Sequence, residues 1–113
     1  MRNKYGAKKV EIDGHLFDSK AESKRYLYLK DLEQKGVIDC LELQPEYVVQ
    51  EKYRYRGEAI RAIKYRADFR YIDEDGAVIE DVKGFKTEVY KLKKKLFLKY
   101  LIENIPGARF IET

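Results

Sequence analysis

The chain holds one cysteine, one histidine, two prolines and no tryptophan among its 113 residues. A lone Cys40 excludes an internal disulfide and any multi-thiolate metal site. It is expected as a small core side chain rather than a catalytic thiol, since no histidine is its sequence neighbour. His15, the one histidine, follows a turn and is expected at the surface or at a strand edge. No apolar run exceeds a handful of residues, which excludes a transmembrane helix and leaves no membrane partner expected. The start "MRNKYGAKK" is basic with no apolar segment behind it, so no signal peptide is expected and the protein is placed inside the cell.

What is present suits a folded soluble protein: 44% hydrophobic and 39% charged residues, with ten tyrosines. The length predicts one domain, residues 1–113. Net charge is only +4, but it is unevenly spread. Lys83, Lys86, Lys91, Lys93, Lys94, Lys95 and Lys99 stand against a single acid, Glu88, and Arg2, Lys4, Lys8 and Lys9 make the start basic. Such clustering suits a polyanion, most commonly nucleic acid, or else a solvated helix face.

"VEIDGHLF" reads as a hairpin turning at Asp13-Gly14. "DSKAESKRYLYLKDLEQKG" reads as a helix capped by Ser19, with Glu22 completing a capping box, Gly36 closing it, and Ala21, Tyr28, Leu29 and Leu32 as its apolar stripe. Strands are expected near 47–55, 59–72 and 77–83, turning at Arg56-Gly57 and at Asp73 to Gly76. A second helix follows from Thr87, with Val89, Leu92, Leu96 and Tyr100 on one stripe, ended by Pro106-Gly107; "ARFIE" is a last strand. The fold class is therefore α/β or α+β around a mixed sheet, with an N-terminal β-hairpin.

The stretch "AVIEDVKG", residues 77–84, sets charges into an apolar strand. Side-chain alternation puts Ile79, Asp81 and Lys83 on one face and Val78, Glu80 and Val82 on the other, so Glu80 is not grouped with Asp81. Counting back through "DEDG" sets Asp68 opposite Asp81 if the loop is 73–76, or opposite Lys83 if only Asp75-Gly76 turn. Two carboxylates at cross-strand distance repel unless a proton or cation lies between them. Oxygen ligands favour Mg²⁺ or Mn²⁺ over zinc. A lysine beside such an ion suits phosphodiester hydrolysis, holding the attacking water or the charge developing on phosphorus. The alternative is a cross-strand salt-bridge network of Arg66, Asp68, Arg70, Asp81 and Lys83.

"YRADF" followed by "EDVKG" resembles the PD-(D/E)XK nuclease signature, with Ala67 where the motif has proline. The order helix, three strands, helix, strand is similar to that superfamily's restriction-endonuclease-like core, and "FDSKAESKRY" supplies Glu22 where family members often carry a glutamate. The chain resembles most a small phage-borne family of uncharacterised endonuclease-like proteins, and next the catalytic domain of transposon end-cleaving endonucleases. The resemblance implies a metal site of Glu22, Asp68, Asp81 and the Val82 carbonyl, with Lys83 catalytic beside them. For Glu22 the competing role is to bond the Ser19 N–H within the capping box.

The expected activity is that of a Mg²⁺- or Mn²⁺-dependent DNA endonuclease in phage DNA processing or recombination, with branched DNA such as Holliday junctions a fitting substrate. Lys86, Lys91, Lys94 and Lys95 are the expected phosphate contacts. "EKYRYRGEAIR" is a DNA-facing hairpin or a tyrosine-rich ribbon with a charged outer face. A homodimer suits two-strand cuts, a protein partner suits targeting, and the location expected is the host cytoplasm. The alternatives are a catalytically silent DNA-binding module of the same fold, and an interaction protein using the tyrosine-rich hairpin as a sheet edge.

Overall fold

A computed structural model describes residues 8–82, 84 and 86–113. Asp13 and Gly14 both take positive φ, 54° and 79°, and join β1 (Val10–Ile12) to β2 (His15–Phe17) as the Asp-Gly signal predicts. Helix α1 (Lys20–Gln34) starts at Ser19, whose hydroxyl accepts the Glu22 N–H at 3.1 Å, and Gly36 follows its end at φ 78°.

The strands are more numerous than the alternation pattern suggests. β3 (Asp39–Leu43) and β4 (Glu46–Gln50) form one bent arm; β7 (Ile63–Arg66) and β8 (Phe69–Asp73) form another. Between the arms lie β5 (Tyr53–Tyr55) and β6 (Glu58–Ile60), paired only with each other. β9 (Gly76–Asp81), α2 (Glu88–Asn104) and β10 (Arg109–Glu112) complete the chain. The long strands expected at 47–55 and 59–72 are thus broken by bends, which let one stretch serve two ladders. β3 escapes the period-two pattern because its register shifts between Asp39 and Glu42, where Cys40 takes φ 57°. Cys40 is consequently exposed, not a core side chain.

The central sheet has the order β10-β9-β8-β3, with β10 parallel to β9 and the other pairs antiparallel. The protein is therefore mixed α+β, with a mixed sheet and two helices. Alternation along β9 divides two cores. Val78 joins Phe17, Tyr26, Leu29, Ile38, Phe69 and Tyr71 beneath α1, whereas Ile79 joins Tyr47, Tyr65, Ala67, Phe97 and Leu101 beneath α2. Phe97 stacks on Tyr65 at 4.4 Å between ring centroids and meets Tyr47 at 5.0 Å. Full burial of a side chain such as Phe97 contributes about 2–3 kcal/mol.

The buried lines of the helices overlap the expected stripes only in part: Leu29 is in the core of α1, with Leu32 packed against it, and Tyr100 packs against the core of α2. In α2 the line Phe97, Leu101 is buried, while Val89 and Leu92 are exposed. In α1 the buried residues are Glu22, Ser23, Tyr26 and Leu29; Ala21 and Tyr28 are exposed and Leu32 is half-buried. Among the described residues no helix is long and apolar enough to cross a membrane.

Candidate functional site

The β8–β9 turn decides which residues meet. Asp73 pairs with Gly76, Ile72 with Ala77 and Phe69 with Glu80, so the next position brings Asp68 level with Asp81. The Asp68 N–H donates to Asp81 Oδ1 at 3.0 Å, and the Val82 N–H donates to Asp68 Oδ2 at 2.7 Å. Each carboxylate is therefore fixed by the backbone of the other's strand.

Both line a cleft of about 330 Å³ together with Asp18, Glu22, Arg66, Val82, Gly84, Lys86, Tyr90 and Glu112. The first turn of α1 brings Glu22, the first turn of α2 brings Tyr90, and the end of β10 brings Glu112. Arg66 and Asp18 form an ion pair at 2.9 Å.

The Glu22 backbone N–H serves the Ser19 cap, while its side chain is 4% exposed and its Oε1 has no hydrogen-bond partner among the described residues. An orphaned buried carboxylate oxygen is costly. Burial, then the negative charges of Asp68 and Asp18, push the Glu22 carboxyl up to about 7. Burial likewise raises Asp68, against the opposing effect of the Val82 N–H. Asp81 is pushed up to about 6, again chiefly by burial, with the Asp68 N–H and the Tyr90 hydroxyl opposing.

Asp81 Oδ2 also accepts from the Tyr65 hydroxyl. The Tyr90 hydroxyl lies 3.3 Å from the same oxygen and 2.6 Å from Glu112 Oε2, so one proton is shared between two carboxylates, of which Glu112 is the nearer. Glu112 in turn accepts from Lys94 at 2.8 Å and pairs with Lys86 at 3.0 Å. Lys94 first, then Tyr90, hold the Glu112 carboxyl down near 2.

Glu80, one residue from Asp81, has a different role. It is fully buried on the α1 side, where Arg25 donates from Nε at 2.5 Å and NH2 at 3.0 Å, Tyr71 at 2.8 Å and Thr113 at 3.0 Å. Its charge is answered within the fold, on the face opposite Asp81.

Glu22, Asp68, Asp81 and Val82 are thus gathered in one cleft. Among the described residues no three His, Cys, Asp or Glu side chains converge closely enough to hold a metal ion as they stand. The side chains that face the cleft offer oxygen donors only, the donor type of a hard divalent cation rather than of zinc, and burial raises all three carboxyls, which either a proton or a cation answers. Lys83 lies outside the described residues.

The lysines divide. Lys86 lines the cleft and, like Lys94, is held by Glu112; Lys91 pairs with Glu88 at 3.3 Å on its own helix; Lys95 is exposed. Sequence reasoning did not single out Tyr65, Tyr90 or Glu112. The signal for Glu112 is the parallel pairing of β10 with β9, which sets it level with Asp81 and which no local pattern encodes.

No curated protein and no solved structure matches the chain. One protein-family model matches residues 2–108, nearly the whole length, and the chain belongs to the family it defines, described as "Protein of unknown function (DUF1064)".

Proposed function

We propose that the protein is a divalent-metal-dependent DNA endonuclease with a restriction-endonuclease-like core. The observation that carries this reading is the cleft itself: Asp68 and Asp81 level on neighbouring strands, with Glu22, one of whose carboxyl oxygens is unpartnered among the described residues, delivered to the same opening. The element order α1, a bent three-strand meander, α2 and a parallel closing strand supports it.

In this reading Glu22, Asp68, Asp81 and the Val82 carbonyl hold Mg²⁺ or Mn²⁺. A bound divalent ion polarises the scissile phosphate and makes water more acidic. The remaining work belongs to the chain. Tyr65 and the Asp68 N–H fix the Asp81 carboxylate on a rigid strand, and the Val82 N–H fixes Asp68. Lys83 stabilises negative charge developing on phosphorus. Lys86 and Lys94, held by Glu112, supply positive charge at the rim for the DNA backbone.

The test is incubation of supercoiled, linear, single-stranded and four-way-junction DNA with the protein and Mg²⁺ or Mn²⁺. Wild type is compared with Asp81→Ala, Glu22→Gln and Lys83→Ala. Metal-dependent cutting lost in the variants is the expected result. Absence of cutting on every substrate sinks the reading.

A further inference from the structure

Among the described residues, one group of cations without acidic partners lies away from the cleft, on the β5–β6 ribbon. Arg56 and Gly57, at φ 49° and 84°, form its tight turn. The register pairs Tyr53 with Ile60, Arg54 with Ala59 and Tyr55 with Glu58. Directly opposed residues share a face, so Tyr53, Tyr55, Glu58 and Ile60 lie on one side. Continuing the register past the ribbon's base sets Lys52 beside Arg61. The other side therefore carries Lys52, Arg54 and Arg61 around the small Ala59, with no acid among them. A concavity of about 400 Å³ is lined by Lys52, Arg54, Ala59 and Arg61 together with Tyr53 and Ile60.

Two observations bear on this face. Residues 51–59 are all exposed, so the ribbon contributes little to either core. A lone two-stranded hairpin is marginally stable in water, and one that buries so little is poorly explained by stability. Among the described residues Lys86, Lys91 and Lys94 are engaged with Glu112 or Glu88, whereas Lys52, Arg54 and Arg61, like Lys93, Lys95 and Lys99 of α2, form no ion pair; on the ribbon the three also line one concavity.

We infer that this basic face is a second DNA contact, which grips the sugar–phosphate backbone of a duplex at a distance from the cleft. Charge complementarity selects a polyanion. Single-strand binders set several stacking rings and cations on one surface; here the register turns Tyr53 and Tyr55 to the opposite face and only Tyr53 also lines the concavity, which leaves no run of rings among the cations. A two-stranded ribbon also has the dimensions of the duplex major groove. From Arg61 to Asp68 the chain runs seven residues through β7. At about 3.3 Å per residue the span is at most ~23 Å, roughly seven base-pair steps. The inference rests on the nuclease reading only in taking DNA as the polyanion.

The experiment is an anisotropy titration of a labelled duplex of about 30 base pairs, without divalent cation, between ~50 and ~200 mM salt. Wild type is compared with the triple variant Lys52→Ala, Arg54→Ala, Arg61→Ala, with its charge-conserving counterpart Lys52→Arg, Arg54→Lys, Arg61→Lys, and with Tyr53→Ser, Tyr55→Ser. Circular dichroism checks that each is folded. The alanine triple should bind about tenfold to a hundredfold more weakly, with a salt slope lower by two to three. The charge-conserving and tyrosine variants should resemble wild type. Unchanged affinity and slope in a folded alanine triple overturn the inference, as does a loss confined to a single-stranded probe of equal length. Unchanged binding with Asp81-dependent cleavage intact removes the ribbon contact alone. Ribbon-dependent binding by a wild type that cuts nothing removes the nuclease reading alone. A wild type that does not bind the duplex removes the ribbon contact, while the nuclease reading is decided by the cleavage assay.

Discussion

Asp68 and Asp81 stand level across the β8–β9 ladder, and the backbone N–H of the first donates to the carboxylate of the second at 3.0 Å. The pairing makes their separation a property of sheet register rather than of flexible side chains. Asp81→Asn and Asp68→Asn keep the shape but remove a charge. Each should lower metal-dependent cleavage by about a hundredfold or more, with weaker Mg²⁺ or Mn²⁺ binding in calorimetry. Full activity in either variant would remove that residue from the site.

The same cleft should make stability depend on pH with an unusual sign. Glu22 rises from 4.5 unfolded to about 7 folded, and Asp81 from 3.8 to about 6. The folded state then binds more protons than the unfolded state in this range, so metal-free stability falls as pH rises from about 4 to about 7. The Glu22 contribution alone is of the order of 3 kcal/mol. Glu112, held near 2, has the opposite sense, but its stabilisation is fully present above 4.5 and is lost only as pH falls toward 2. Melting curves without metal should therefore show a higher melting temperature at pH 5 than at pH 8. Glu22→Gln should flatten that difference. Saturating Mg²⁺ should flatten it in wild type too, since an ion bound only by the folded state adds about 3 kcal/mol at a hundred times Kd. A metal-free melting temperature that climbs steadily from pH 5 to pH 8 would contradict this account.

Neighbouring acids on β9 should separate cleanly in mutants. Arg25→Met strips the fully buried Glu80 of its bidentate partner and should cost about 3–5 kcal/mol in urea unfolding. Adding Glu80→Gln to Arg25→Met should recover part of that loss by removing the stranded charge. Metal affinity at pH 7.5 should stay near wild type in the folded double variant, opposite to the pattern for Asp81→Asn. Metal binding lost equally from both sites would show that the sheet does not insulate its two faces.

The single carboxylate of Glu112 is shared by Lys94 and Lys86, two of the cations expected to meet phosphate, and offsets half of their charge. Glu112→Gln should release both and tighten duplex binding several-fold, with a salt slope steeper by up to about two. Weaker binding would mean that Glu112 holds these lysines in a required geometry.

Much of this was legible in the sequence where short-range chemistry decides. Asp13-Gly14 dictates a turn because that turn needs two residues at positive φ, and Ser19 dictates a helix start because its hydroxyl can satisfy a free N–H. Alternation in "AVIEDVKG" separates Glu80 from Asp81 because a strand's side chains must point to opposite faces. The loop "DEDG" narrowed the partner of Asp68 to Asp81 or Lys83, and the turn geometry selected Asp81.

Only the tertiary structure decided the rest. Which stripe of α2 is buried depends on Phe97 finding Tyr65 and Tyr47, aromatic contacts between residues distant in the chain. Glu112 reaches the cleft because β10 pairs in parallel with β9 after a helical crossover. The capping-box pattern at Ser19 leaves the destination of the Glu22 side chain open; the packing of α1 against the sheet buries it at the cleft with one oxygen unpartnered among the described residues. Local sequence sets turns, caps and strand faces because those depend on neighbouring dihedral angles and short hydrogen bonds. The charge environment of a site is a sum over groups that come together only when the sheet closes.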